Sequence, residues 1–127
     1  MRQLRLNQTY YKVLLTLKLL NDQQYYPLNE GIYKILKGKV DEETRPFSAF
    51  PVFGTLSSYT SKRISHLTLM LFRYGYIGKI FDPNSNKLFF RISPSGEQFV
   101  EDFGKRHKIR FVNKHTELVK TIVKIED

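Results

Sequence analysis

The stretch "VFGTLSSYTSKRISHLTLMLFRYGYIGKI", Val52 to Ile80, decides how this chain is read. A run of hydroxyls and cations passes into a greasy segment, a glycine interrupts it, and an alternating apolar pattern follows. Ile64, Leu67, Leu71 and Tyr74 recur at helical spacing with Thr68 and Phe72 in support, so a helix is expected from Ser61 to about Tyr74. Leu69 and Met70 widen the side expected to be buried, while Lys62, Arg63, His66 and Arg73 fall mostly on other faces. Ser58 or Thr60 is placed to cap the start of this helix, and Gly75 to stop it. Next, "YIGKIF" and "KLFFRI" are β-rich runs on either side of "DPNSN", whose proline, asparagines and serine favour a turn, and the pair reads as a hairpin.

Upstream, Asn7 or Thr9 caps a first helix running to about Asn21, with Tyr10, Val13, Leu14, Leu17 and Leu20 on its inner face. A second helix fits Asn29 to Lys37, capped by Asn29, closed by Gly38 and burying Ile32, Ile35 and Leu36. "KVDEETRPFSAFP" has no periodicity and reads as a loop that Phe47, Phe50 and Phe53 tack to the core. Downstream, Ser93 followed by Pro94 is a strong helix start over "SPSGEQFVEDF". From Gly104 the chain turns basic, with seven Lys/Arg against three acids. A last helix is expected from Thr116 to about Ile125, presenting Leu118, Val119, Ile122, Val123 and Ile125. That many apolar residues need cover, either from the first helix or from a second copy in a homodimer. The expected division is therefore a domain over residues 1–103 and a basic, helical extension over 104–127.

The totals bound the function. A chain of 127 residues with 41% hydrophobic content suits one core. No apolar run is long enough to span a bilayer, and Arg5, Asn7, Gln8, Lys12 and Lys18 break up the first hydrophobic segment, so neither a signal peptide nor an anchor is expected. The absence of cysteine excludes disulfides, thiol catalysis and thiolate zinc sites, and fits a reducing cytoplasm. A formal charge of +9 points to a polyanionic partner. Asp41, Glu42 and Glu43 read as a solvated run in a proline-flanked loop. His66, His107 and His115 lie on separate segments, so no metal site is expected. Most aromatics read as core, Phe72, Phe90, Phe99 and Phe103 among them, with Tyr59, Tyr25 and Tyr26 the better candidates for exposed rings. No catalytic constellation or cofactor-binding loop stands out, and no enzyme is expected.

Three helices followed by a hairpin is the order of a winged helix-turn-helix domain, an α+β architecture whose third helix and hairpin wing face nucleic acid. That order explains why cations sit against the best core segment. The helix must bury one side to be rigid while its N-terminal turn meets phosphates. Ser57, Ser58, Tyr59, Thr60 and Ser61 supply hydrogen-bond donors, Lys62 and Arg63 add charge, and His66 lies one turn further on. Lys79, Lys87 and Arg91 flank the hairpin. DNA is the expected partner, bound mainly through its backbone. Three alternatives stand beside it: an RNA binder, a dimeric transcriptional regulator reading a palindrome, and an accessory subunit whose basic face docks an acidic protein. The regulator is weakened by how few Asn, Gln or Arg residues the third helix exposes for reading base edges.

A resemblance sharpens this reading. "GIYKILKGK", "FGTLSSYTSKRISHLTLMLFRYGYIGKI" and "NKLFFRISPSGEQF" together resemble the RQC domain, the winged-helix domain of RecQ-family DNA helicases. The family's helix-ending turn is matched by Ile35, Leu36, Lys37 and Gly38, and its step before a serine-containing helix start by Phe53 and Gly54. Its exit from that helix is matched by Gly75, Tyr76 and Ile77, and the run from its second wing strand into the next helix by Phe90, Ile92, Ser93 and Gly96. The likeness covers roughly Asn7 to Phe103. This chain has no Walker-A loop and lacks the zinc cysteines that precede the domain in the family, so the resemblance implies a free-standing RQC-like module without a motor. In the family the wing can part DNA strands with a residue near its tip, a role the resemblance assigns here to Phe81, and it implies a preference for opened or structured DNA.

Overall fold

The computed structural model describes residues 4–107. The expected helix at Thr116 to Ile125, and the packing or pairing it would require, lie outside the described residues. Within them the chain is α+β. Helices α1 (Gln8–Asp22), α2 (Asn29–Lys37) and α3 (Ser61–Arg73) precede a hairpin of β1 (Ile77–Asp82) and β2 (Lys87–Ile92), and α4 (Pro94–His107) follows. The last helix runs through Phe103 and Gly104 without a break.

Helix α1 forms the centre because its apolar stripe is broad enough to meet α2, α3, β2 and α4. Asn7 caps it, its side chain accepting from the Tyr10 N–H at 3.0 Å. Val13, Leu14, Leu17 and Leu20 are fully buried, and each contributes on the order of 1.5–3 kcal/mol by leaving water. The inner aromatic is Tyr11, not Tyr10 as expected. Phe99 and Phe103 of α4 come within 6.5 and 5.1 Å of its ring and widen the buried stripe by one residue.

The start of α3 is fixed by the end of α2. Gly38 takes the left-handed conformation (φ 82°), and the Lys39 N–H donates to the Lys34 carbonyl at 2.8 Å, closing the helix. The chain then returns across this end. The Gly54 N–H donates to the Ile35 carbonyl and the Leu56 N–H to the Leu36 carbonyl, both at 2.8 Å. A Cβ on Gly38 would stand 3.1 Å from the Gly54 Cα, so the two glycines allow the backbones to touch. Val52, Phe53 and Leu56 are buried there, and Phe47 is held by a short turn of 3-10 helix at Arg45–Phe47. The segment expected as a tacked-down loop is therefore part of the core, with Phe50 only half-buried.

One cap and one charge cluster differ from expectation. The residue flanking α2 is Leu28, and Asn29 instead turns its amide to donate to the Ser65 hydroxyl of α3. Asp41 and Glu43 are not a solvated run. Both sit against the Lys34 ammonium, at 2.7 and 3.6 Å, and Glu43 also accepts from the Tyr25 hydroxyl. The Lys34 hydrogen bond, followed by the Thr44 N–H, holds the Asp41 carboxyl down to about 2. Thr44 is buried, donates to the Lys39 carbonyl at 2.7 Å and accepts from the Asp41 N–H, which ties the loop shut.

The hairpin leaves α3 through Gly75 (φ 85°), with the Tyr76 N–H donating to the Leu71 carbonyl at 2.9 Å. Its register pairs Ile77 with Ile92, Lys79 with Phe90 and Phe81 with Leu88 on one face, and Gly78 with Arg91, Ile80 with Phe89 and Asp82 with Lys87 on the other. Only the base of the first face reaches the core, through Ile77 and Ile92. The outer edge of β2 is covered: the Phe90 N–H donates to the Pro27 carbonyl at 2.9 Å and the Ile92 N–H to the Asn21 side chain at 2.8 Å. Ser93 then caps α4, accepting from the Gly96 N–H and donating to the Gly75 carbonyl.

Candidate nucleic-acid interface

Thr60 is the residue that caps α3, accepting from the Arg63 N–H at 3.1 Å. Its cap leaves the first-turn amides of Ser61 and Lys62 ahead of the first intrahelical bond, facing out of the helix start. Ser57, Ser58, Thr60, Lys62, Arg63 and His66 are exposed, and Ser61 is half-buried. Tyr59 is partly structural. Its hydroxyl lies 3.4 Å from that of Thr9, its carbonyl accepts from the Lys37 ammonium, and its ring lies 4.7 Å beneath the Arg63 guanidinium. The stacking holds Arg63 upright at the helix start.

The outer face of α3 carries a stripe that sequence reading described only in part. Lys62, His66, Leu69 and Arg73 recur at steps of four, three and four and are all exposed. Leu69, expected to widen the buried side, is 45% exposed, and Phe72 and Tyr74, expected inside, are each 37% exposed. Ile64, Leu67, Thr68 and Leu71 already fill the space against α1 and α2, so the residues beside them are left on the flank. Phe72 gains a different role: the Lys79 ammonium sits 4.4 Å from its ring and 5.7 Å from that of Phe90. This contact joins the hairpin to the helix. Phe90 and Phe99 are half-buried, leaving Phe103 as the one fully interior ring of the four expected.

The structure divides the hairpin cations. Lys79 stands on the face turned to α3, whereas Lys87 and Arg91 stand on the opposite face with Ile80 and Phe89. Phe81, 55% exposed, and its cross-strand partner Leu88, 49% exposed, form an apolar pair near the hairpin tip. Among the described residues, ion pairs engage Lys18, Lys34 and Lys105, and none engages Lys62, Arg63, Arg73, Lys79, Lys87 or Arg91. Charge is segregated to match. Between residues 44 and 96 stand Arg45 and those six cations against one acid, Asp82. The remaining described acids belong to α1, α2, the loop that follows it, and α4. No group of three or more potential metal-ligating side chains occurs among the described residues, and no helix there is long and apolar enough to cross a membrane. No family model matches the chain, and no curated protein does.

Proposed function

We propose that this chain is a winged helix-turn-helix module, similar to an RQC domain, that binds DNA mainly through its phosphate backbone. The observation that carries the reading is the set of six exposed cations, without carboxylate partners among the described residues, on α3 and the hairpin. Cations held in structural ion pairs have little to gain from a phosphate, and these are not so held. The start of α3 adds first-turn amides, the helix dipole and the Ser57 and Ser58 hydroxyls to Lys62 and Arg63, a combination suited to an anion. Arg73 extends the charge along the helix, and Lys79 carries it onto the hairpin. The Phe90 to Pro27 hydrogen bond supports the winged-helix reading, because it holds the α1–α2 connection beside β2. The exposure of Phe81 near the tip supports the contact with an opened duplex end that the resemblance implies.

Labelled blunt duplex, forked duplex, single-stranded DNA and duplex RNA, each titrated at two salt concentrations, test this. Binding of the DNA forms with a steep salt dependence is expected, and no binding to any of them at low salt overturns it. A second reading rests on Leu69, Phe72, Phe81 and Leu88, whose exposure on α3 and the hairpin suits a protein partner. Binding that persists unchanged at high salt favours that reading instead.

A further inference from the structure

The far face of the hairpin holds a hollow of about 400 Å³, lined by Tyr26, Ile80, Phe81, Asp82 and Phe89. Tyr26 and Phe89 are the aromatics aligned with this face, and Phe81, whose register position belongs to the other face, only borders the hollow. The hollow exists because Pro27 is bonded alongside β2, which brings Tyr26 against the Ile80–Phe89 cross-strand pair. Tyr26 and Phe89 are half-buried, leaving part of each side chain accessible. Asp82 is the one acid between residues 44 and 96. Its two carboxylate oxygens each accept one bond, from the Asn84 N–H at 3.1 Å and the Ser85 hydroxyl at 2.8 Å, and each retains a lone pair. Lys87 and Arg91 stand on this same face, two residues to either side of Phe89, ~7 Å away along the strand.

Aromatic rings with a single carboxylate would suit a cationic ligand on their own. Lys87, directly opposite Asp82, and Arg91 oppose that charge. What fits the whole set is a ligand with a flat π-face, an amino group and a flanking anion. We infer that the hollow takes one unpaired nucleobase of a single strand, stacked on Tyr26 and Phe89, with the adjoining phosphates on Lys87 and Arg91. Asp82 then accepts from an exocyclic amino group, which favours cytosine over thymine. The inference rests on the nucleic-acid reading above and shares Lys87 and Arg91 with it, but its base contacts, Tyr26 and Phe89, lie apart from α3, so the two can fail separately.

The probes are fluorescein-labelled decamers of deoxycytidine, of thymidine and of abasic deoxyribose, which carry the same phosphates with or without bases. The cytosine decamer is expected to bind roughly tenfold tighter than the abasic one, and measurably tighter than thymine. In the Tyr26→Leu/Phe89→Leu double variant, which keeps apolar volume but loses both rings, that advantage is expected to vanish while blunt-duplex binding stays within about twofold. Should the variant not fold, amide shifts in the unaltered protein decide: Ile80 and Phe89 move with the cytosine decamer and stay still with the abasic one. Equal affinity for cytosine and abasic decamers, or no base-dependent shift at the hairpin, overturns the inference. Duplex binding without base discrimination removes the hollow alone. Base-dependent decamer binding without duplex binding supports the hollow and removes the α3 interface.

Discussion

Replacing Gly96 by alanine sets two physical expectations against each other. Gly96 lies in the first turn of α4, where alanine is the better helix former by about 0.8–1.0 kcal/mol, so propensity alone expects a more stable protein. Packing expects the reverse. A Cβ here would stand 2.3 Å from the Tyr76 carbonyl oxygen and 2.7 Å from the Ile92 side chain. Ordinary contact begins near 3.4 Å, so the backbone must part by about 1.1 Å at this point. The same junction holds the Ser93 N–H on the Tyr76 carbonyl at 3.1 Å and the Ser93 hydroxyl on the Gly75 carbonyl at 2.6 Å, and a shift of that size stretches both. Overpacking costs roughly 1–3 kcal/mol, and the two hydrogen bonds are worth about 1 kcal/mol each. Less the propensity gain, the net loss is about 2–4 kcal/mol. At roughly 4 °C per kcal/mol for a chain of 127 residues, the melting temperature should fall by ~8–16 °C. Thermal unfolding followed by circular dichroism and calorimetry reads this directly. A variant that melts with or above the original protein would show that the α3–β1 turn does not press on α4, and would refute the packing account.

Thr60→Ala removes the α3 cap and should cost ~1 kcal/mol by denaturant titration, whereas Ser58→Ala should cost nothing measurable. Asp41 is depressed in the folded chain, so its contribution is present above its unfolded value of 3.8 and is lost as pH falls toward about 2. Melting between pH 5 and pH 2.5 should therefore decline less in Asp41→Asn than in the original protein, and parallel declines would remove Asp41 from the acid response. Replacing residues 83–86 by a two-residue Asn-Gly turn should preserve the fold while weakening forked duplex more than blunt duplex. Equal weakening of both would leave the hairpin as a simple clamp.

The elements legible in the sequence were those with local punctuation. Gly38 and Gly75 end their helices in the left-handed conformation that only glycine adopts freely, and Ser93–Pro94 starts the next. The hairpin followed from two β-rich runs around a turn. Burial at the edges of a helical stripe was not legible. Leu69, Phe72 and Tyr74 lie beside the true inner face of α3, and whether a flank is covered depends on how far α1 and the hairpin reach over it. Asn29 has the chemistry of a cap, yet Ser65 lies within its reach, which only the packing of α2 against α3 sets. The acid run was misread because Lys34, seven residues before Asp41, faces it only once Thr44 has closed the loop. The hollow was illegible for the same reason: Tyr26 and Phe89 meet because the Pro27 carbonyl bonds β2. Of the candidate site, the helix start was visible as a cluster of residue types. The division of the hairpin cations between two faces required the register.

The central claim is that α3 and the hairpin meet phosphates, and the salt dependence of duplex binding tests it most directly. Lys62, Arg63 and Arg73 are exposed on α3 without carboxylate partners among the described residues, so each is available for one phosphate. Changing all three to alanine should weaken unrelated duplex sequences alike and make the slope of log affinity against log salt shallower by about 2.7. Between 50 and 200 mM salt the triple variant should then lose ~40-fold less affinity than the original protein. A folded variant whose slope and affinity match the original would contradict the account and place any nucleic-acid contact elsewhere on the molecule.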